Sequence, residues 1–266
     1  MPKTEPAVTA LDFSRWKAAG RKISVLTAYD FGTARLLDGA GVDCLLVGDT
    51  LGMVVQGHNT TLGVTLDQIV YHAEMVARAS KRALVVTDLP FLSYQPSIEE
   101  AIRSAGRCLK ETGCGAVKLE GGRRMAATIR ALVDSDIPVM AHIGMTPQSV
   151  RRFGGFKVQR DAEEILADAH AVQDAGAFSV VLECVPGPVA ERVTAELAIA
   201  TIGIGAGVKC DGQVLVTHDL LGLFEDFQPR FARRYANLAK EIRTAVSSFI
   251  SDVNAGSFPG PDETFR

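Results

Sequence analysis

Short runs of Val, Ile and Leu alternate along this chain with stretches that have the apolar spacing of amphipathic helices. The runs are almost continuously apolar, which is typical of parallel strands that are covered on both faces. We predict eight strands, at residues 23–30, 44–50, 83–91, 116–122, 138–145, 179–186, 200–207 and 213–219. The pattern therefore predicts an α/β protein with a parallel sheet.

The stretches between the strands carry helix signals. Ser97 and Glu100 have the spacing of a capping box, and Gly113 follows the last apolar position. Thr65 and Gln68 repeat the box at the start of another helix. The clearest predicted helices span residues 65–80, 97–113, 163–176 and 230–256, and the last of these is long and amphipathic.

Eight strands with interleaved helices in 266 residues are the profile of a (β/α)8 barrel, also called a TIM barrel. We find no linker, so we predict a single domain over residues 1–266, with an N-terminal helical extension and a C-terminal amphipathic helix. One connection is short, because only about eight residues separate TIGIG from VLVTH and a parallel crossover usually needs a dozen. Either a single helical turn replaces that helix or the strand count is wrong. A doubly wound open sheet is the alternative fold.

The composition changes this picture little but excludes several partners. The formal net charge is −3 and no Lys/Arg block occurs, so neither nucleic acid nor an anionic membrane is an expected partner. The five cysteines are scattered without the close spacing of a zinc site, which favours reduced thiols. Charges interrupt the N-terminal segment, and no apolar run is long enough to span a bilayer. A cytoplasmic location is the prediction.

Nearly every predicted strand ends on a polar or ionisable residue. Because active sites of barrels collect at the carboxyl ends of the strands, we expect many of these side chains to meet. They are Asp30, Asp49, Asp88, Glu120, His142, Glu183 and the pair His218-Asp219. A lone Asp at a strand end is often a helix N-cap, and this is our interpretation of Asp30. Several carboxylates at one mouth would repel one another unless a cation lay among them.

Lys118 and Glu120 are two positions apart in one predicted strand and therefore share a face. They form either a buried ion pair or, beside Asp49 and Asp88, part of a site. Carboxylate oxygens suit Mg²⁺, with water or substrate completing its coordination. Lys118 would then supply positive charge for an anionic substrate.

Glu183 stands in the apolar run VVLECVP. Apolar surroundings raise the pKa of a carboxyl group toward the range that a general base needs, although a partner Arg or Lys is the alternative for this residue. His142 either binds substrate or satisfies a backbone carbonyl. A divalent metal, Lys118 and a carboxylate base together predict enolate chemistry on a 2-oxo acid, either aldol-type addition or C–C cleavage.

An ordered set of motifs resembles the ketopantoate hydroxymethyltransferase family from about Thr27 to Gly260. The motifs are TAYD, LLVGDTLGMVVQGHNTTLGVT, DLPF, VKLEGG, HIGMTPQSV, GGFKVQ, LECVP, TIGIGAG and DGQVLVTHD. The resemblance implies a (β/α)8 barrel, which supports the strand count. It also implies transfer of a hydroxymethyl group from 5,10-methylenetetrahydrofolate to 3-methyl-2-oxobutanoate, giving 2-dehydropantoate on the path to pantothenate.

The resemblance further implies roles for individual residues. Glu183 would be the proton acceptor. The expected Mg²⁺ residues are Asp49, Asp88 and Glu120, the last of them through water. Thr50 and Lys118 would hold the oxo acid, and to these we add Asp49, Asp88 and His142 as expected substrate-binding residues on our own interpretation. The family assembles into homodecamers, and the last amphipathic helix offers an interface for such an assembly.

One position departs from the family pattern, which usually has Ser where Thr50 stands. Thr keeps the hydroxyl and adds a methyl group that could shift the substrate. Two rival functions stay open. A phosphoenolpyruvate mutase or isocitrate lyase type enzyme resembles this barrel, but such lyases usually carry a reactive Cys in a loop and we find no such motif. A non-catalytic barrel is disfavoured by the intact carboxylates and Lys118.

Overall fold

Eight parallel strands close into a barrel in which each strand pairs with the next and the last pairs with the first. The computed structural model describes residues 6–155, 157–225 and 228–265. The strands are β1 (Ile23–Thr27), β2 (Cys44–Val47), β3 (Leu84–Asp88), β4 (Ala116–Glu120), β5 (Val139–Gly144), β6 (Ser179–Glu183), β7 (Ala200–Ile204) and β8 (Gly212–Leu215). The closed ring confirms the predicted (β/α)8 barrel and excludes the doubly wound open sheet. Most predicted strands ran past the observed carboxyl end, where the loops begin.

The connection from β7 to β8 contains no helix. Residues 205–211 form a turn in which Gly205 and Gly207 have φ of 64° and 85°, a left-handed conformation that glycine adopts without strain. The Asp211 carboxylate accepts hydrogen bonds from the Thr201 N–H and hydroxyl at 2.9 and 3.1 Å. The predicted strand count is thus correct, and a turn rather than a helical turn makes the short joint.

Alternate positions of the strands belong to two separate apolar layers. The layer inside the barrel includes Val25, Leu46, Val86, Met140 and Ile202. The intervening positions pack with the surrounding helices and include Leu45, Val85, Val117, Ala141 and Leu182. Burial of both strand faces explains why the sequence shows continuous apolar runs instead of strict alternation.

Helix α1 (Ala10–Ala18) covers the amino end of the barrel interior. Phe13 is fully buried in the interior layer and packs edge-on against Phe178, with ring centroids 5.2 Å apart. Phe178 directly precedes β6, which locates this contact at the amino ends of the strands. The amino end of the barrel interior is thereby covered.

Eight further α-helices accompany the strands in the described residues up to 215. They are α2 (Phe31–Gly39), α3 (Leu51–Val54), α4 (Leu66–Ala79), α5 (Ile98–Arg107), α6 (Ala126–Val133), α7 (Val150–Phe153), α8 (Ala162–Asp174) and α9 (Gly187–Glu196). A π-helical turn (Cys108–Thr112) continues α5, and 3-10 turns occupy Arg123–Met125 and Pro147–Ser149. None of the described helices combines the length and apolar character needed to cross a bilayer.

Several helix ends agree with their sequence signals. Thr65 and Gln68 form a complete capping box at α4. Asp30 is the N-cap of α2, as predicted, and its carboxylate accepts a hydrogen bond from the Thr33 N–H at 2.8 Å. The helical stretch that begins with α5 ends at Gly113, whose φ is 77°. These local bonds satisfy backbone groups that a helix end leaves without partners.

Chain contacts divide the protein into two units, residues 1–215 and 216–266, and each is described by itself. The second unit contains α10 (Thr217–Leu221), α11 (Leu238–Ala255) and a 3-10 turn (Pro261–Glu263). The predicted start of the last helix at residue 230 is wrong. Asn237 takes a non-helical conformation, and its side chain caps α11 by accepting a hydrogen bond from the Lys240 N–H. The extension of one domain over residues 1–266 stays a prediction.

All five cysteines are unpaired. Cys44 lies in the interior layer, whereas Cys108, Cys114 and Cys210 pack with the outer one. Cys184 is half-buried. The thiols of this structure thus take part in packing and form no disulfide.

Candidate active site

Four ionisable side chains extend the inner layer at the carboxyl ends of four consecutive strands. Asp88, Glu120 and Glu183 are the last residues of β3, β4 and β6, and His142 lies two positions before the end of β5. Alternation along each strand directs them to the same side as the interior layer. Lys118, two positions before Glu120, shares this face. The structure therefore brings together five of the side chains that the sequence singled out.

Lys118 pairs with Asp88 across two adjoining strands. Its Nζ lies 3.0 Å from Asp88 Oδ1 and 3.4 Å from His142 Nδ1, and all three side chains are buried. Burial lowers the pKa of Lys118, but the carboxylates of Asp88, Glu120 and Asp49 outweigh it and hold the pKa above its usual value. Lys118 is consequently a permanent cation. The ion pair that it forms joins β4 to β3, whereas the sequence had left open a pair with Glu120 within one strand as the alternative to a site beside Asp49 and Asp88.

Asp49 reaches the cluster from a turn and not from the end of the predicted strand. β2 ends at Val47, and Asp49 lies in the turn that leads into α3. Its backbone N–H donates a hydrogen bond to Asp88 Oδ2 at 2.9 Å. Its own Oδ2 accepts a hydrogen bond from Gln148 Nε2 at 2.8 Å. These two bonds hold Asp49 beside Asp88.

The carboxyl groups outnumber the cations of the cluster. Burial and the neighbouring Asp88 raise the pKa of Asp49 to about 7, although Lys118 and Gln148 oppose the shift. Burial and Asp49 raise the pKa of Glu120 well above its usual value. The single ammonium group of Lys118 is thus too little positive charge to keep all of these carboxyl groups ionised. Without a further cation, the cluster retains protons near neutral pH.

His142 and Glu183 face each other, with Nε2 and Oε2 3.1 Å apart. Lys118 can only donate to His142 Nδ1, so the remaining imidazole proton lies on Nε2, the ring nitrogen nearer Glu183. Burial and Lys118 lower the pKa of His142 by more than Glu183 and Asp88 raise it, which keeps the imidazole neutral. The sequence had left a backbone carbonyl open as the partner of His142 and a cation as the partner of Glu183. The structure pairs the two side chains with each other.

Sequence reasoning missed two buried residues of this cluster, Gln148 and Tyr94. Gln148 belongs to the 3-10 turn after β5, and its backbone N–H donates a hydrogen bond to Glu120 Oε2 at 2.9 Å. The Tyr94 hydroxyl accepts from the Glu120 N–H at 3.1 Å and shares its single proton between the Glu120 carbonyl at 3.0 Å and Gln148 Oε1 at 2.8 Å. Gln148 lies in the motif HIGMTPQSV, and Tyr94 lies in the loop after DLPF. Neither residue has a sequence spacing that relates it to a particular strand end.

The structure also locates the other residues that the sequence singled out. Thr50 follows Asp49 directly, at the start of α3, and is half-buried. Asp30 serves as the cap of α2. His218 and Asp219 belong to α10 in the unit of residues 216–266.

The donor atoms fit a divalent cation that keeps part of its water shell. In residues 6–155, 157–225 and 228–265, no three His, Cys, Asp or Glu side chains converge closely enough to bind one ion. Mg²⁺ does not need three, because it commonly retains several waters and takes one or two carboxylates. Glu120 Oε1 is buried without a hydrogen-bond partner, and a hydrated cation would satisfy it.

A cleft of about 350 Å³ lies beside this cluster and not on it. Gly121, Gly144, Thr146 and Arg152 are among its lining residues, so it opens at the carboxyl ends of β4 and β5. None of the predicted site residues lines it. The chemistry of the buried cluster, and not the shape of the cleft, therefore defines the candidate active site.

Comparison with known proteins gives a consistent answer. A family model described as ketopantoate hydroxymethyltransferase matches residues 7–261. The chain belongs to the ketopantoate hydroxymethyltransferase family. Its curated relatives include proteins named 3-methyl-2-oxobutanoate hydroxymethyltransferase. The Syntrophus aciditrophicus protein is 55% identical over 253 residues, covering 94% of this chain and 93% of that one. The Clostridium botulinum protein is 51% identical over 262 residues, covering 97% and 95%.

Solved structures outside the ketopantoate hydroxymethyltransferase family share the barrel. Phosphoenolpyruvate phosphomutase from Streptomyces platensis subsp. rosaceus has a TM-score of 0.64 at 17% identity, covering 97% of this chain and 92% of that one. A 2,3-dimethylmalate lyase has a TM-score of 0.59 at 19% identity, covering 98% and 92%. Such low identities show a common fold and do not transfer an activity. The lyase class that the sequence left open is thus a relative in fold.

Proposed function

We propose that this member of the ketopantoate hydroxymethyltransferase family transfers a hydroxymethyl group from 5,10-methylenetetrahydrofolate to 3-methyl-2-oxobutanoate, forming 2-dehydropantoate. The observation that carries the proposal is the buried cluster in which Lys118 lies among carboxylates while Glu183 faces His142. The cluster contains both a cation for an anionic substrate and a base for proton removal. The names of the curated relatives supply the oxo acid and the hydroxymethyl transfer, and the folate donor is the one that the resemblance to the family implies.

Lys118 and Thr50 bind the oxo acid in this proposal. Lys118 is buried and carries a permanent charge, so its attraction for a carboxylate or keto oxygen is weakly screened. Its pairing with Asp88 fixes Nζ at the carboxyl end of β4. The Thr50 hydroxyl lies next to Asp49 in sequence and donates a hydrogen bond to the substrate.

Asp49 and Asp88 would hold Mg²⁺, and Glu120 would contact it through a water molecule. When bound, the ion supplies Lewis acidity that polarises the keto group of the oxo acid. Gln148 occupies Asp49 Oδ2 and Glu120 Oε2, and Asp49 N–H occupies Asp88 Oδ2. Asp49 and Glu120 thus each keep a second oxygen that these bonds do not use, whereas the second oxygen of Asp88 pairs with Lys118.

Glu183 removes the proton from C3 of the oxo acid. The neutral His142 holds Glu183 through the 3.1 Å contact and keeps the carboxylate in place for the transfer. The electron pair moves toward the keto oxygen, where Lys118 stabilises the negative charge by donating a hydrogen bond. The methylene carbon leaves both folate nitrogens and takes its oxygen from a water molecule, whose two protons pass to the nitrogens. C3 bonds to this carbon, and the proton that Glu183 removed passes to its oxygen to complete the hydroxyl group.

Deuterium exchange tests the first half of this reaction. The protein is incubated in D₂O with Mg²⁺ and 3-methyl-2-oxobutanoate, with and without tetrahydrofolate, and the C3 proton is followed by NMR. We expect exchange in the wild type and a decrease of about 10²–10⁴-fold in Glu183→Gln, the usual contribution of a general base. Glu191→Gln is the matched control, because Glu191 forms an exposed ion pair with Lys209.

Two results would refute the proposal. Exchange at the wild-type rate in Glu183→Gln would remove Glu183 as the base. Absence of both C3 exchange and hydroxymethyl transfer in the folded wild-type protein, with Mg²⁺ and 5,10-methylenetetrahydrofolate present, would refute the assigned activity itself.

We also propose that the protein is a cytoplasmic homo-oligomer, a decamer as in the family it resembles. The supporting observation is α11, which has no buried residue and presents exposed apolar side chains at helical spacing. They are Ile242, Val246, Phe249, Ile250 and Val253. Light scattering of the purified protein measures the mass directly, and a monomer at micromolar concentration would contradict the assembly.

A further inference from the structure

Gln148 uses the full hydrogen-bonding capacity of its side chain inside the cluster. Its Nε2 donates to Asp49 Oδ2 at 2.8 Å and to the Leu89 carbonyl at 3.0 Å. Its Oε1 accepts from Gln95 Nε2 at 2.9 Å and from the Tyr94 hydroxyl at 2.8 Å, whose single proton is shared with the Glu120 carbonyl. An amide with two donors and two acceptor sites can make no more bonds than these four. The residue is also 93% buried, given its exposed fraction of 7%.

The orientation of this amide is fixed by backbone groups whose roles are unambiguous. The Leu92 N–H can only donate, and it donates to Gln95 Oε1 at 2.7 Å. Gln95 therefore presents its Nε2 to Gln148, which in turn must present Oε1 to Gln95 and Nε2 to Asp49. The Leu89 carbonyl can only accept, and it requires the same orientation of Gln148. A flipped amide would place two donors against each other and two acceptors against each other.

Gln148 contacts a second carboxylate through its backbone. Its N–H donates to Glu120 Oε2 at 2.9 Å, while Glu120 Oε1 stays buried without a hydrogen-bond partner. Gln148, which follows β5, thus contacts one oxygen of Asp49, in the turn after β2, and one oxygen of Glu120, at the end of β4. In each case, the other oxygen is not engaged by Gln148.

We infer that Gln148 is a positioning residue that orients Asp49 and Glu120 for a divalent cation, with Tyr94 and Gln95 fixing its amide. The inference rests on the proposed metal site. Gln148 itself contacts neither cation nor substrate. It selects which oxygen of each carboxylate is turned toward the cation, and outer residues with this role typically change metal affinity about 10–100-fold when they are replaced.

Direct binding of Mn²⁺, measured by the electron paramagnetic resonance signal of the free ion, tests this role without reference to turnover. Gln148→Met keeps the length of the side chain and removes all its polar atoms. Gln148→Asn keeps the amide, but it is one methylene too short to contact Asp49 and Gln95 together. We expect the dissociation constant for Mn²⁺ to rise about 10–100-fold in both variants.

Gln173 provides a matched control. Its Oε1 accepts hydrogen bonds from the Ala198 and Ile199 N–H groups, just before β7 begins, so it is a structural glutamine at the amino end of the barrel. Gln173→Met should lower stability and leave the Mn²⁺ dissociation constant within about twofold of the wild type, because Gln173 makes no hydrogen bond to Asp49 or Glu120.

Two outcomes would overturn the inference. One is wild-type Mn²⁺ affinity in either Gln148 variant that folds. Gln148→Asn is included because it keeps a polar amide in the buried cluster and should therefore disturb folding less than Gln148→Met. The other is a wild-type protein that binds no Mn²⁺ at all. The hydroxymethyl transfer assay is separate, so a failure of the proposed function is distinguishable from a failure of the positioning role.

Discussion

Lys118 Nζ and Asp88 Oδ1 lie 3.0 Å apart at positions that pair in register between β4 and β3. Their side chains are only 6% and 4% exposed. The ion pair places a cation at the mouth of the barrel and at the same time compensates the charge of a buried carboxylate. A buried pair of this kind is sensitive to removal of one partner, because the other charge is left uncompensated.

Lys118→Met should therefore lose both stability and activity. We expect the free energy of unfolding to fall by about 3–5 kcal/mol, the usual cost of an unpaired buried charge. Urea denaturation measures this change, and C3 exchange should become undetectable. The double variant Lys118→Met/Asp88→Asn should recover most of the stability and none of the activity. A single variant as stable as the wild type would contradict the buried ion pair.

Gly144 tests how closely β5 must approach β6. Its φ is 91°, and a Cβ at this position would lie 2.4 Å from the Glu183 carbonyl oxygen. Gly144→Ala should cost about 1–3 kcal/mol in backbone strain alone and should slow C3 exchange, because relief of the contact displaces Glu183. Gly106, in α5, has open space around its Cβ position, and Gly106→Ala should stabilise the protein by about 0.5–1 kcal/mol. Thermal unfolding of both variants is the measurement, and equal effects would contradict the contact.

Most of the fold could be predicted from the sequence because each strand and helix carries its own local signal. Continuous apolar runs located all eight strands, and Asp30 and the Thr65–Gln68 box marked helix starts correctly. The start of α11 was missed because the apolar periodicity continues on the amino side of Leu238. Asn237 caps α11 and so sets its first residue, and a periodic pattern does not reveal such a cap.

The site was predictable only where residues lie on strands. Alternation along β4 correctly put Lys118 and Glu120 on one face. The pairing of Lys118 with Asp88 depends on the register between strands, which the sequence does not state. Gln148 was missed because it lies in a loop and meets Asp49, 99 positions away in the chain, through folding alone.

Asp43 stabilises the opposite end of the barrel and should affect stability without affecting chemistry. Its Oδ1 lies 2.7 Å from Arg21 and 3.0 Å from Arg82, and Ser24 donates to Oδ2. Burial alone would raise the pKa of Asp43, but these hydrogen bonds outweigh it and hold the pKa below its usual value. Asp43→Asn should cost about 1.5–3 kcal/mol at pH 7, the range for hydrogen bonds to a charged group.

The pH dependence of this cost has a definite sign. Because the pKa of Asp43 is lower in the folded than in the unfolded protein, the stabilisation is fully present above the unfolded pKa of about 4 and is lost as the pH falls through the folded value. The difference in unfolding free energy between wild type and Asp43→Asn should therefore shrink below about pH 4. Urea denaturation at a series of pH values measures it, and a difference that grew toward acid would contradict the assignment.

Thr50 separates the role of a hydroxyl group from that of a methyl group. Thr50→Ser keeps the hydroxyl and should retain activity, with a KM for the oxo acid no higher than that of the wild type. Thr50→Val keeps the size and should raise this KM by about 10–100-fold, because a hydrogen bond to a charged group contributes about 1.5–3 kcal/mol. Thr50 is half-buried at the start of a short helix, so neither change should alter the unfolding midpoint strongly. Wild-type KM in Thr50→Val would show that the hydroxyl does not bind the substrate. A lower KM in Thr50→Ser, with kcat unchanged, would show instead that the extra methyl group weakens binding of the oxo acid without impairing the reaction.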